Sequence, residues 1–184
     1  GALRGVPHPL EPLDVLEPVD ATTDPQDLAA GDHARAWAAL LAGDPASALE
    51  HARRATGRAL GAERLRALEL TARAELWAGD LSALRTTIAS MHAMGVKGRW
   101  AGAAALTLAA AAGALAGEAD APGRYSAAAA AWRDLRLPLH LALCLLEWHR
   151  FAGGDAEALA EGLGVCRGLG ALGLARLVES ADVS

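Results

Sequence analysis

The chain has 184 residues, 53% of them hydrophobic but only 4% aromatic, and a formal net charge of −5. That length suits one compact domain or one run of helical repeats. About a quarter of the residues are Ala, the strongest helix former, and β-branched and aromatic residues are sparse, so the composition predicts an all-α fold and argues against a sheet protein.

Residues 1–32 hold seven acids against Arg4, whereas the rest of the chain holds 15 acids and 16 bases with no basic stripe of the kind that meets phosphates. No nucleic-acid partner is expected. Arg53, Arg54, Arg58, Arg64 and Arg66 cluster locally and read as a solvated helix face with its turn. Cys144 and Cys166 make no disulfide framework and no secretory leader is legible, so a cytoplasmic setting is expected. The chain begins with Gly rather than Met, which reads as an excerpt of a longer protein or a tag remnant.

In chain order, residues 1–24 come first. Pro7, Pro9, Pro12 and Pro18, with the acid excess, predict an extended arm or linker. Val6, Leu10, Leu13, Leu16 and Val19 would let that arm lie along the domain that follows, residues 25–184. Thr23-Asp24-Pro25 reads as a cap and the start of a short helix ahead of Gly31.

From there one junction recurs. Ala42-Gly43-Asp44, Ala78-Gly79-Asp80, Ala116-Gly117-Glu118 and Gly153-Gly154-Asp155 place a helix-ending glycine and a helix-capping acid at spacings of 36, 38 and 37 residues. A period of that size marks a solenoid of helical hairpins. Helix A of each hairpin is expected at about 32–42, 62–78, 98–116 and 138–152, and helix B at about 45–58, 81–94, 121–135 and 155–168. Turns from B to the next A fall at Leu60-Gly61, Met94-Gly95, Leu135 to Pro138 and Leu169-Gly170. A last helix at about 171–182 would cover the open end. Trp100 to Gly117 is an uncharged run of 18 residues, but Ala and Gly insert weakly into a bilayer, so a buried helix is expected and no membrane partner.

With the Gly-Asp turn and small residues such as Ala48 and Ala52 where the helices cross, the chain resembles a tetratricopeptide-repeat (TPR) protein. It departs from that family in its longer period and in lacking the W-x-x-L-G-x-x-Y signature. AAAAAWRDLRLPLHLALCLLEW, residues 127–148, followed by GLGVCRGLGALGLARLVES, is similar to the C-terminal repeats of bacterial LuxR-type and cyclase-linked signal-transduction ATPases. The resemblance implies a right-handed TPR-like solenoid of about four hairpins with a capping helix, serving as a non-catalytic arm of a larger regulator. In TPR proteins the A helices line the concave groove. Aligning on the junction glycines puts His33, Trp37, Arg66, Glu69, Arg73, Trp77 and Thr107 there, with Glu147 or Trp148 from the fourth hairpin. The five Trp residues of the chain could instead plug an Ala-rich core.

Catalytic and metal motifs are lacking in the sequence. No nucleophile elbow, phosphate loop or dinucleotide fingerprint is present, so neither an enzyme nor a cofactor is expected. His140, Cys144 and Glu147 share a helical face but make only part of a metal site. Gly162, Gly164, Gly168, Gly170 and Gly173 follow no strand and read as close helix packing, and Glu157 and Glu161 as a solvated face. The sequence therefore predicts a module that binds a protein or peptide, or another domain of its own chain, on its concave face. Two alternatives stay open: a small-ligand sensor with an apolar pocket among the A helices, and a structural spacer that dimerises through the Ala-rich third hairpin.

Overall fold

The structure, a computed structural model, describes residues 23–181, so all but the last two residues of the expected arm 1–24 lie outside it. The described residues are all-helical: α1 Pro25–Leu41, α2 Pro45–Arg58, α3 Gly61–Trp77, α4 Leu81–Ala93, α5 Arg99–Leu115, α6 Ala121–Leu135, α7 Pro138–Ala152, α8 Ala156–Leu169 and α9 Leu172–Ala181. No helix among them is long and apolar enough to cross a membrane.

The recurring junction makes the turns. Gly43, Gly79, Gly117 and Gly153 all take positive φ, ending α1, α3, α5 and α7 in the left-handed region. Asp44, Asp80 and Asp155 then cap the next helix by accepting from the backbone N–H of Ser47 (3.0 Å), Ala83 (2.9 Å) and Ala158 (2.7 Å). The third junction differs. Asp120 stands at the start of α6 without a side-chain cap bond, and Glu118 pairs with Arg124 at 2.9 Å instead.

One expected break is missing. A short helix before Gly31 and a separate one at 32–42 were predicted, but α1 runs unbroken from Pro25. Asp24 caps it through Gln26 N (2.7 Å), Pro25 occupies the first turn, and Gly31 is buried within it. A single interior Gly costs only about 1 kcal/mol against Ala, too little to stop a helix that packs well on both sides of it.

Consecutive helices pack against each other, and α1, α3, α5 and α7 also touch in sequence, α1 on α3, α3 on α5, α5 on α7. Two of these helices are central. α3 and α7 each contribute to both hydrophobic clusters: Leu65, Leu68, Leu141 and Leu145 to one, Leu70, Ala74, Leu143 and Leu146 to the other. A helix that is buried on most sides shows little amphipathic stripe, and α3 accordingly buries Glu69, Arg73 and Glu75 along with its leucines.

The last helix returns to the first. α9 packs on α8 and α7 and also on α1. The approach is backbone to backbone: a Cβ on Gly173 would lie 2.1 Å from the Ala42 carbonyl oxygen, and one on Gly43 would lie 2.7 Å from the Gly173 oxygen. The run of C-terminal glycines thus divides. Gly162 presses on Leu146 and Gly173 on the α1–α2 turn, Gly170 supplies a left-handed turn, and Gly164 and Gly168 face open space.

The arginine cluster is also more than a solvated face. Asp32, 3% exposed on α1, accepts from Arg54 Nε (3.2 Å) and from Arg58, so α2 is tied to α1 by a carboxylate taken out of water. Arg53 reaches Glu75 on α3 at 3.2 Å, and Glu75 accepts from the Thr87 hydroxyl on α4 at 2.7 Å. Charged groups that are buried must be paired, and these pairs fix neighbouring helices to one another.

Candidate functional site

The turn glycines set a register. Counting back from Gly43, Gly79 and Gly153, the residue six places earlier is Trp37, Arg73 and Glu147, and ten places earlier stand His33 and Glu69 for the first two. Residues four apart share a helix face, so these side chains project to the same side of α1, α3 and α7.

The deepest of them form an ion triad. Arg73 donates from Nε to Glu69 and from Nη1 to Glu147 Oε1 (2.6 Å), joining α3 to α7. Arg73 and Glu147 are fully buried and Glu69 is 1% exposed. Burial pushes the Glu147 carboxyl up to about 7, against the pull of Arg73. Burial would also drive Arg73 toward neutrality, but Glu147 and Glu69 outweigh it and hold the guanidinium charged. Glu147 Oε2 and Arg73 Nη2 are buried without a hydrogen-bond partner among the described residues.

Beside the triad lies a cavity of about 90 Å³ lined by His33 and Trp37 from α1, Arg66 and Glu69 from α3, Trp100 from α5 and His140 from α7. Trp37 donates its indole N–H to His33 Nε2 at 3.1 Å. The rings stand edge to face: Trp37 and His140 at 5.6 Å and 66°, Trp100 and His140 at 6.2 Å and 84°. His140 also lies at 4.7 Å from the buried Trp132. Burial lowers the pKa of both His33 and His140, against Glu69, so both imidazoles stay neutral at neutral pH. Arg66 is exposed and pairs with Glu63 at 2.9 Å.

Of the residues expected on a groove, His33, Trp37, Arg66 and Glu69 therefore meet at one cavity, and Arg73 lies beneath them. The others are employed elsewhere. Thr107 donates to Ala103 O (2.9 Å) and accepts from the Trp132 indole (2.8 Å), Trp77 packs on Phe151 at 5.3 Å, and Trp148 rests against the first hydrophobic cluster. The Trp residues divide as well. Trp132 is fully buried, Trp37, Trp77, Trp100 and Trp148 all pack against the core clusters, and Trp37 and Trp100 line the cavity as well.

His140 and Trp100 were not among the expected groove residues. His140 did carry a signal, since it stands 13 residues before Gly153 as Arg66 stands 13 before Gly79. Trp100, in the first turn of α5, carried none. The row His140, Cys144, Glu147 parts company: His140 faces the cavity, the Cys144 thiol points to Tyr125 O at 3.8 Å, and Glu147 joins the triad. Burial pushes the Cys144 thiol up to about 12. No cluster of His, Cys, Asp and Glu suited to a metal occurs among the described residues. A second opening, apolar and about 260 Å³, lies between α3, α4 and α5 against Leu65, Ile88, Met91 and Leu108.

Comparison with protein-family models, with curated proteins and with solved structures gave no match to this chain.

Proposed function

We propose that the chain is a non-catalytic recognition module, a right-handed TPR-like solenoid that serves a larger bacterial signalling or transcription-regulatory protein, and that it holds a protein or peptide partner through the cavity between α1, α3, α5 and α7. The observation that carries this reading is convergence. Residues from four separate helices, including the Arg and Trp types that dominate binding hot spots, meet at one cavity. A site that is concave, mostly aromatic and edged by a few polar groups is the usual form of a recognition pocket.

A second reading, a small-ligand sensor, is favoured by size. A cavity of about 90 Å³ takes one side chain or the head of a small molecule rather than a helix. Glu69 of the buried ion triad is part of its wall, so binding there would be felt by α3 and, through Arg73, by α7.

The test is selection of peptides on the immobilised chain, repeated with Arg66→Glu after far-UV circular dichroism shows unchanged helicity. Peptides whose retention differs between the native chain and Arg66→Glu would support recognition at this cavity. Equal retention by both would overturn it. Arg73 is left untouched in this test, because its loss would disturb the core.

A further inference from the structure

We propose, building on the recognition reading above, that the cavity between α1, α3, α5 and α7 binds an alkylated ammonium group, either the head of a small quaternary amine or a trimethylated lysine side chain. The walls are the argument. Trp37, Trp100, His33 and His140 surround the space, and adjacent rings meet at 78°, 66° and 84° rather than stacking. The two indoles are the rings whose quadrupoles attract a cation, and the imidazoles fill the space between them.

The charges point the same way. Both imidazoles are held neutral by burial and add no positive charge. Glu69 forms part of the lining, and its one buried cationic partner, Arg73, is shared with Glu147. Two carboxylates about one guanidinium leave a net negative charge whenever both are ionised. The only cation in the lining is Arg66 at the exposed edge, already paired with Glu63.

Hydrogen bonding selects the alkylated form. The Trp37 indole N–H is spent on His33 Nε2, so that wall offers a ring rather than a donor. A plain ammonium entering the cavity could bond to Glu69 but would leave its remaining donors without the water they lose, whereas methyl groups need no acceptor. A cavity of about 90 Å³ has room for a compact head group rather than for an extended chain.

The experiment is isothermal titration of the full chain with choline and with the neutral alcohol in which carbon replaces its nitrogen. A peptide carrying trimethyllysine is titrated beside the same peptide with plain lysine. The expected result is binding of choline, of the trimethyllysine peptide, or of both, about tenfold or more tighter than the matched control, and an equal loss in Trp100→Leu, a half-buried position. Which cation binds separates the two sources. Equal affinity for choline and its neutral isostere, with no preference for trimethyllysine, would reduce the site to an apolar hole and overturn the proposal. So would failure of every cation to bind the folded native chain. If the cations fail while selected peptides still depend on Arg66, the cation assignment falls and the recognition reading stands; if both fail, both fall.

Discussion

Replacing Arg73 by Met should be far more damaging than replacing either of its partners. Arg73 is fully buried between Glu69 and Glu147, so Arg73→Met keeps the bulk and strands two carboxylates in the core. Breaking a buried pair by removing one partner costs about 3–5 kcal/mol. That is a large share of the roughly 5–15 kcal/mol that holds a typical domain folded. Glu147→Gln is the contrasting change: burial already lifts that carboxyl to about 7, so it gives up a charge held at a cost, and Arg73 keeps Glu69. Its expected effect is about 1 kcal/mol or less, of either sign. Urea unfolding followed by circular dichroism separates the two. With a slope of about 2 kcal/mol per molar, Arg73→Met should lower the midpoint by roughly 2 M and Glu147→Gln by about 0.5 M at most. The Arg73→Met loss should also shrink at about pH 5, where the stranded Glu147 carboxyl can protonate. Equal midpoints for the two variants, or a loss that is the same at both pH values, would refute the reasoning.

Native stability should itself depend on pH. Glu147 binds its proton more tightly folded than unfolded, so its contribution is complete below about pH 4.5 and is lost as pH rises through about 7, a change of about 3 kcal/mol. His33 and His140, with lowered pKa values, act in the opposite sense and withdraw stability as pH falls below the ordinary histidine range. Unfolding free energies from about pH 5 to 8 should fall on the alkaline side, and Glu147→Gln should flatten that limb; an unchanged limb in the variant would assign the dependence elsewhere. Gly173→Ala places a Cβ 2.1 Å from the Ala42 carbonyl oxygen, so it should cost at least about 1–3 kcal/mol and speed amide exchange in α9, whereas Gly164→Ala, with open space around it, should be neutral or stabilising. Both free cysteines are buried, so a thiol reagent should label neither in the native state within minutes and both in urea; rapid native labelling would contradict their placement.

Much of the helical layout was legible because each turn carries its own chemistry. Gly43-Asp44-Pro45 ends one helix and caps the next with three adjacent residues, and such local rules do not depend on the rest of the chain. The unbroken α1 was missed for the converse reason: Gly31 is a weak breaker once the helix around it is buried. The glycine register also placed His33, Trp37, Glu69 and Arg73 on one side of their helices. It could not place Glu147 against Arg73, since that pair spans 74 residues and depends on how hairpins accumulate rotation. The return of α9 to α1 is of the same kind. Its trace in the sequence is a glycine at 43 and another at 173, and nothing local links them. Trp100 enters the cavity from the first turn of α5, off the register that carries the other inward-facing residues, so periodicity had no means of finding it.

Recognition is assigned to one cavity. Its most direct test is the indole N–H spectrum of the five Trp residues, recorded by heteronuclear NMR while choline is added. Trp37, whose indole hydrogen-bonds His33, and Trp100 should move together and saturate at one concentration, while Trp77 and Trp148 stay in place. Shifts confined to Trp77 or Trp148, or none at all at concentrations where calorimetry detects binding, would contradict it.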